Sequence, residues 1–246
     1  MTAVRAALAI FLAAGLAACD EGTPDYFPLQ SGSVWVYEQR LVIENHGNSG
    51  GRKTRDFVTA ATDLPAESNG DDQLRPRIFA DGSTLYYEDT SDGIALVGSR
   101  RPFAEAIEPI SPRYLIRRPF AEGTTWEGTI EAQILERTVL GLFGTISKTI
   151  EIDGIMTYTI ESLDDTVHVP AGTFRNCLRV RGTGEAPLQW EEPFGTLPVT
   201  VTTLEWFAPS VGLVKRIREE QTGKGGPLGA RLEEQLADKR NAGWFH

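Results

Sequence analysis

Sulfur and imidazole are scarce in this chain. Its 246 residues hold two cysteines, Cys19 and Cys177, and three histidines, His46, His168 and His246. Two cysteines leave no room for a disulfide framework. No two histidines have metal-ligand spacing, which argues against zinc and haem. The chain also lacks a glycine-rich phosphate loop, a dinucleotide fingerprint and a G-x-S-x-G elbow, so no cofactor is expected. Positive charge is short as well, with 24 Lys and Arg against 34 Asp and Glu for a net charge of −10. An acidic surface repels phosphate backbones, and nucleic acid is not an expected partner. No apolar run reaches the roughly 20 residues that a spanning helix needs.

What the chain does have is alternation. Trp126, Gly128, Ile130, Ala132 and Ile134 alternate with Glu127, Thr129, Glu131 and Gln133. Ile146, Ile150 and Ile152 do the same against Ser147, Thr149, Glu151 and Asp153, as do Met156, Tyr158 and Ile160 against Thr157, Thr159 and Glu161. A period of two puts one set on a buried face and the other in water. Trp35, Tyr37, Leu41 and Ile43 share one face of a long strand, and Phe174, Leu178 and Val180 one face of another. Asp81-Gly82, Asp92-Gly93 and Asp153-Gly154 mark tight turns between strands. Roughly ten strands at this spacing, joined by hairpins, predict an all-β domain: one curved antiparallel sheet, a half-open barrel.

Residues 101–119 stand apart. Pro102, Pro109, Pro112 and Pro119 sit among Phe103, Ile107, Ile110, Tyr114, Leu115 and Ile116. Four prolines oppose one regular element, so this proline-rich stretch is expected to pack across an open end or face of the sheet. Two echoes are also present. Pro28-Leu29-x-x-Gly32-x-x-Trp35 matches Pro119-Phe120-x-x-Gly123-x-x-Trp126, which suggests two similar turns that each feed a tryptophan into the core. Arg-Arg-Pro-Phe-Ala-Glu occurs at 100–105 and again at 117–122.

The amino terminus combines Arg5, a short uncharged stretch from Ala6 to Ala18, and Leu16-Ala17-Ala18-Cys19. That ending resembles the lipobox of bacterial lipoproteins. The resemblance implies cleavage before Cys19 and acylation of that residue, so the membrane becomes a partner through the lipid anchor. Residues 1–18 are then a signal peptide, 19–26 a lipidated tether and 27–246 the β domain. The expected location is the cell envelope, facing the periplasm, with inner or outer membrane left open. Cys177 has no partner within the chain once Cys19 carries lipid.

A second resemblance rests on Val169-Pro170-Ala171-Gly172-Thr173-Phe174-Arg175-Asn176-Cys177 and Trp206-Phe207-Ala208-Pro209-Ser210-Val211-Gly212-Leu213-Val214-Lys215, with Tyr26-Phe27-Pro28-Leu29, Gly32 and Trp35 before them. These resemble a group of bacterial envelope lipoproteins of unknown function with the signature V-P-A-G-x-F-x-N-C … W-x-A-P-G-V-G-L-V-K. Ser210 stands where that group has glycine. The resemblance implies a half-open sheet like that of the lipoprotein-localisation carriers, which wraps an apolar cavity. It brings no catalytic residues.

Candidate sites follow from these patterns. Trp35, Tyr37, Trp126, Ile130, Tyr158 and Trp206 are the expected lining of a cavity for a lipid or small apolar ligand. Arg175, Arg179 and Arg181 share a strand face and could hold an anion, or pair with glutamates on neighbouring strands. Carboxylates are plentiful, but adjacent ones on a strand point to opposite faces, so the chain is not expected to be an enzyme. A hydrolase would need carboxylates brought together from distant positions. An envelope protein partner, with the sheet packed solid, is the other expected role.

Overall fold

A computed structural model describes residues 24–45, 51–69, 72–130, 154–189, 196–223 and 228–241. The predicted strand over Ile146–Ile152, the end of the one begun at Trp126, and Cys19 lie outside the described residues. Every regular element among those described is a strand. In chain order they are β1 (Val34–Asn45), β2 (Gly51–Asp63), β3 (Glu67–Asn69), β4 (Asp72–Phe79), β5 (Thr84–Thr90), β6 (Gly93–Arg100) and β7 (Glu108–Arg117). There follow β8 (Thr125–Thr129), β9 (Ile155–Val169), β10 (Gly172–Gln189), β11 (Thr196–Ala208), β12 (Gly212–Thr222) and β13 (Leu228–Arg240).

They form one antiparallel sheet in the order β7-β6-β5-β4-β2-β1-β13-β12-β11-β10-β9-β8, with β3 paired to β4 beside this path. The expected all-β, half-open architecture is what the molecule has, and the sheet curls until it is nearly closed. Consecutive strands pair as hairpins because turn residues punctuate them. Gly82 and Gly93 both adopt positive φ at the predicted turns, and so does Gly172 after Pro170-Ala171. Ser210 takes φ 60°, the left-handed conformation a glycine would adopt freely. Its amide donates to Asp25 O at 2.7 Å and its carbonyl accepts from Lys239 Nζ at 2.6 Å, which hold it there. The long-range closure is β1 on β13, paired from Val34↔Arg240 to Asn45↔Leu228 with one register shift between Val36 and Tyr37.

At the open side β7 and β8 come together without a ladder among the described residues. Trp126 bridges them: its indole Nε1 donates to Tyr114 O at 3.0 Å. The proline-rich stretch differs in form from the expectation. Most of it is β7, paired along β6 with the register broken between Ile94 and Ala95 and between Leu96 and Gly98. An edge strand tolerates Pro109 and Pro112 because one side of it has no ladder to interrupt. Its apolar side chains still reach the core, Ile116 completely.

The domain also begins earlier than expected. Tyr26, assigned by sequence to the tether, is 5% exposed and meets Phe120 edge-on at 5.5 Å. An aromatic ring of this size is worth burying wherever a groove accepts it.

The concave side is layered. One apolar cluster gathers Phe27, Tyr87, Ile116, Trp126, Val180 and Phe207. A second gathers Ile130, Met156, Ala186, Val199, Val201 and Ala230. Strand alternation places most of both sets inward, and between them lie Thr203 and Glu205 on β11, Tyr158 on β9 and the glycines Gly128, Gly182 and Gly184.

Candidate functional site

The polar layer arises from register. Glu205 on β11 stands opposite Arg216 on β12, Arg216 opposite Glu234 on β13, and Glu234 opposite Gln39 on β1. Arg216 Nε donates to Glu205 Oε1 at 2.6 Å, and its Nη1 lies 3.4 Å from Glu234 Oε1. Gln39 Nε2 donates to Glu234 Oε2. One turn of the alternation further on, Arg218 Nε donates to Glu220 Oε1 at 2.6 Å. Burial opposes the Arg216 charge, but Glu205 and Glu234 outweigh it and hold the guanidinium above its ordinary value.

This layer fronts accessible space. Arg216 is deeply enclosed by the strands, yet 34% of its side chain is reached by solvent. The hollow is this concave face of the curled sheet, open to solvent at Arg216. Gln39, Leu41, Leu232 and Tyr158 are also only half-buried on this side. The Tyr158 hydroxyl is raised from its usual value by burial and senses Glu205 along with Arg113, Arg218 and Arg216. Its one hydrogen-bond partner is the Met156 sulfur at 3.5 Å, a weak acceptor. Gly182 on β10 makes room for this arrangement. A Cβ there would meet Thr203 Oγ1 at 2.5 Å and the Tyr158 ring at 2.6 Å. Thr203 is 4% exposed, and its hydroxyl has no hydrogen-bond partner among the described residues.

The six residues expected to line a cavity therefore separate. Tyr158 is half-buried on the concave face, Tyr37 is buried in a third apolar cluster with Trp35 and Leu236, and Ile130 belongs to the second apolar layer. Tyr37 donates from its hydroxyl to Leu213 O at 3.1 Å. Trp35 and Trp126 are packed anchors. The Trp35 indole donates to Val211 O at 2.8 Å, and Trp126 stacks on Tyr158 at 5.5 Å with 14° between rings. Trp206 stands on the outer face, because Glu205 and Phe207 on either side of it point inward. Its indole donates to Asp165 Oδ2 at 2.9 Å. An open depression of about 340 Å³ at the far end of β10 and β11 is lined by Glu185, Ala186, Pro187, Thr196 and Pro198, none of them among the six.

Two of the three candidate arginines of β10 meet carboxylates. Arg179 binds Glu161 Oε2 at 3.1 Å and Asp165 Oδ2 at 2.7 Å, and Arg181 binds Glu161 Oε1 at 2.5 Å. Arg175 is exposed, beside the irregularity between Phe174 and Cys177. The polar layer itself was not foreseen from sequence. On β12 charges occur on both faces, with Lys215 and Glu219 alternating with Arg216, Arg218 and Glu220, so periodicity carries no sign of which face is inward. Pairing with the mixed-face neighbours decides it.

No family model matches this sequence, and no curated relative matches it. Among solved structures, an inferred lipoprotein from Parabacteroides distasonis is similar at 15% identity and a TM-score of 0.37, over 89% of this chain and 100% of that one. An inferred exported protein with a YmcC-like fold from Bacteroides fragilis is similar at 13% identity and a TM-score of 0.36, over the same shares. A DUF1329 family protein from Desulfovibrio piger is similar at 12% identity and a TM-score of 0.25, over 88% of each chain. Likeness at this level says nothing of what this chain binds.

Proposed function

We propose that this chain is a lipid-anchored protein of the bacterial cell envelope that binds an apolar ligand or lipid on the concave face of its sheet and performs no chemistry on it. The anchor reading draws on Leu16-Ala17-Ala18-Cys19. The binding reading draws on one observation above all, the accessible third of Arg216 deep within the strand wall. Half-buried Leu41, Leu232 and Tyr158 stand on the same face, as an acyl chain or similar group requires. A non-catalytic role is supported by the inward carboxylates Glu205, Glu220 and Glu234, each of which is engaged by an arginine.

Two measurements test this. Mass analysis of the natural product should show residues 1–18 removed and a diacylglyceryl group on Cys19; an unmodified thiol there overturns the anchor. Organic extraction of gently purified protein should release a stoichiometric amphiphile, and the emptied protein should take up a fluorescent fatty acid. An empty extract together with no uptake overturns the binding role.

A scaffolding role has one observation of its own. Residues 51–59 of β2 pair with β1 but have no ladder partner on the other edge among the described residues, and Phe57 and Val58 are exposed there. Bare strand edges template pairing with another chain. In-cell crosslinking through this stretch to one reproducible protein would favour this second role.

A further inference from the structure

We infer that the bare edge of β2 takes up an extended acidic segment of another protein as an added antiparallel strand, with carboxylates opposite Lys53 and Arg55 and an apolar side chain opposite Phe57. This rests on the scaffolding role described above and names the chemistry of its partner. The edge is a gap in the sheet. β4 pairs with β2 only at residues 61–63, and its column ends where Ala80 N donates to Ala60 O at 2.9 Å. Residues 51–58, beyond that point, are all exposed. Ala60 turns its carbonyl to the β4 side. Alternation therefore turns the N–H and C=O of Val58, Asp56, Thr54 and Arg52 the same way, where no ladder meets them among the described residues. The backbone groups of Lys53, Arg55 and Phe57 point to β1 instead. A row of outward donors and acceptors is filled by another peptide strand, which carries the same row.

Charge selects the occupant. Directly opposed residues share a face, and on the outer face β1 answers the charges of β2. Arg52 lies 3.9 Å from Glu44, and Arg40 Nε donates to Asp56 Oδ1 at 2.8 Å. On the concave side Lys53 stands opposite Ile43 and Arg55 opposite Leu41, and neither cation has an ion-pair partner among the described residues. This surplus of positive charge sits on a chain whose net charge is −10. With Arg52, Lys53 and Arg55 against Asp56 alone, a second copy of the same strand is repelled, whereas an acidic strand is drawn in. Phe57 continues the row of Lys53 and Arg55 on one face and Val58 lies on the other, 38% and 66% exposed, so an apolar pair on the incoming strand would cover them.

The test uses two heptapeptides, Val-Ile-Thr-Glu-Thr-Glu-Thr and Val-Ile-Thr-Lys-Thr-Lys-Thr, which set Ile against Phe57 and the charged pair against Arg55 and Lys53. Each is titrated into the full chain carrying Cys19→Ser at physiological salt, which screens the distant net charge. Amide exchange should slow at Arg52, Thr54, Asp56 and Val58 and stay unchanged at Lys53, Arg55 and Phe57, whose amides already face β1. The acidic peptide should bind about tenfold more tightly than the lysine peptide, since two exposed ion pairs replace two like-charge contacts. Lys53→Glu with Arg55→Glu should reverse that preference. Thr54→Pro removes one outward N–H and should abolish binding of both peptides while the β1–β2 ladder stays protected. Equal binding, or a preference for lysine, overturns the charge selection and leaves the scaffolding role standing. Binding that survives Thr54→Pro, or sedimentation showing the chain paired with itself through this edge, overturns the added strand. No protection by either peptide overturns the inference, and no in-cell crosslink from position 58 to another protein overturns the scaffolding role with it.

Discussion

The two halves of the sheet are held by different means. From β2 through β1, β13, β12, β11 and β10 to β9, ladders run nearly the full length of their strands, as from Val34↔Thr62 to Asn45↔Gly51. From β4 to β7 the strands are short, and the ladder to the long half is Ala61↔Phe79, Thr62↔Ile78 and Asp63↔Arg77, flanked by one backbone bond on each side, Ala80 N to Ala60 O and Leu64 N to Pro76 O, both 2.9 Å. That narrow joint carries a buried clamp. Arg77 Nε donates to Asp63 Oδ1 at 2.6 Å and Nη2 to Asp63 Oδ2 at 3.1 Å, with a further bond to Pro28 O at 3.1 Å. Its guanidinium lies 4.5 Å from the Phe27 ring centre and 4.1 Å from that of Trp35. Burial raises the Asp63 carboxyl, and the Arg77 bonds pull it back down. Where a ladder is long the backbone supplies the cohesion; where it is three residues wide, one side chain must.

Breaking that clamp gives the largest expected effect. Arg77→Met leaves a buried carboxylate without its partner and should cost about 3–5 kcal/mol, read from the denaturant midpoint, with new protease cuts appearing first within 72–117. A loss no greater than that of a surface substitution would show that the short half does not depend on the joint. The second contact between the halves is the Trp126 bridge. Trp126→Phe keeps a ring on Tyr158 but removes the bond to Tyr114 O, and should cost about 1 kcal/mol beyond repacking. The same substitution should raise amide exchange in β7 and β8 while leaving the β10–β11 ladder protected.

Alkaline pH should loosen both halves together. Burial pushes the Tyr37 and Tyr87 hydroxyls up and the Cys177 thiol up to about 11, with Asp165 adding to the last. Values above those of the unfolded chain mean the folded state favours the neutral forms. Their contribution is complete below about pH 9, where the unfolded thiol begins to titrate. It drains away as pH rises through the folded values. The melting temperature should fall steeply above that point, and Cys177 should resist thiol reagents at pH 8 until the protein unfolds. A flat profile to pH 11 would contradict this. Smallest of all, Arg40→Ala removes an exposed pair with Asp56 on the long half. No measurable change in stability is expected, because water and salt screen such a pair.

Sequence alternation was sufficient for the sheet and for much of its inner face. Met156 and Ile160 are fully buried, Trp126 and Ile130 nearly so, and Thr157 is exposed. The echoed turns behave alike too. Gly32 and Gly123 have φ of 82° and 85°, and each delivers a tryptophan whose indole binds a backbone carbonyl. The repeated hexapeptide shows the limit of such reading. Phe103 and Phe120 occupy the same place in it, yet Phe103 is fully exposed and Phe120 packs against Tyr26. Local sequence is identical, and only the distant chain differs. The polar layer was hidden for the same reason, since Glu205, Arg216, Glu234 and Gln39 meet only when four strands align.

That alignment has a consequence for how the chain avoids misthreading. Were β12 to slide one way by one position, Ile217 would replace Arg216 inside and Glu205 and Glu234 would lose their shared cation; slid the other way, Lys215 would enter as a point charge without the guanidinium's two-sided fork. Apolar steps along a strand are nearly interchangeable, so greasy residues alone police such slippage weakly. The inward row of opposite charges works as a vernier, favouring the native alignment of four strands over a single-step slip.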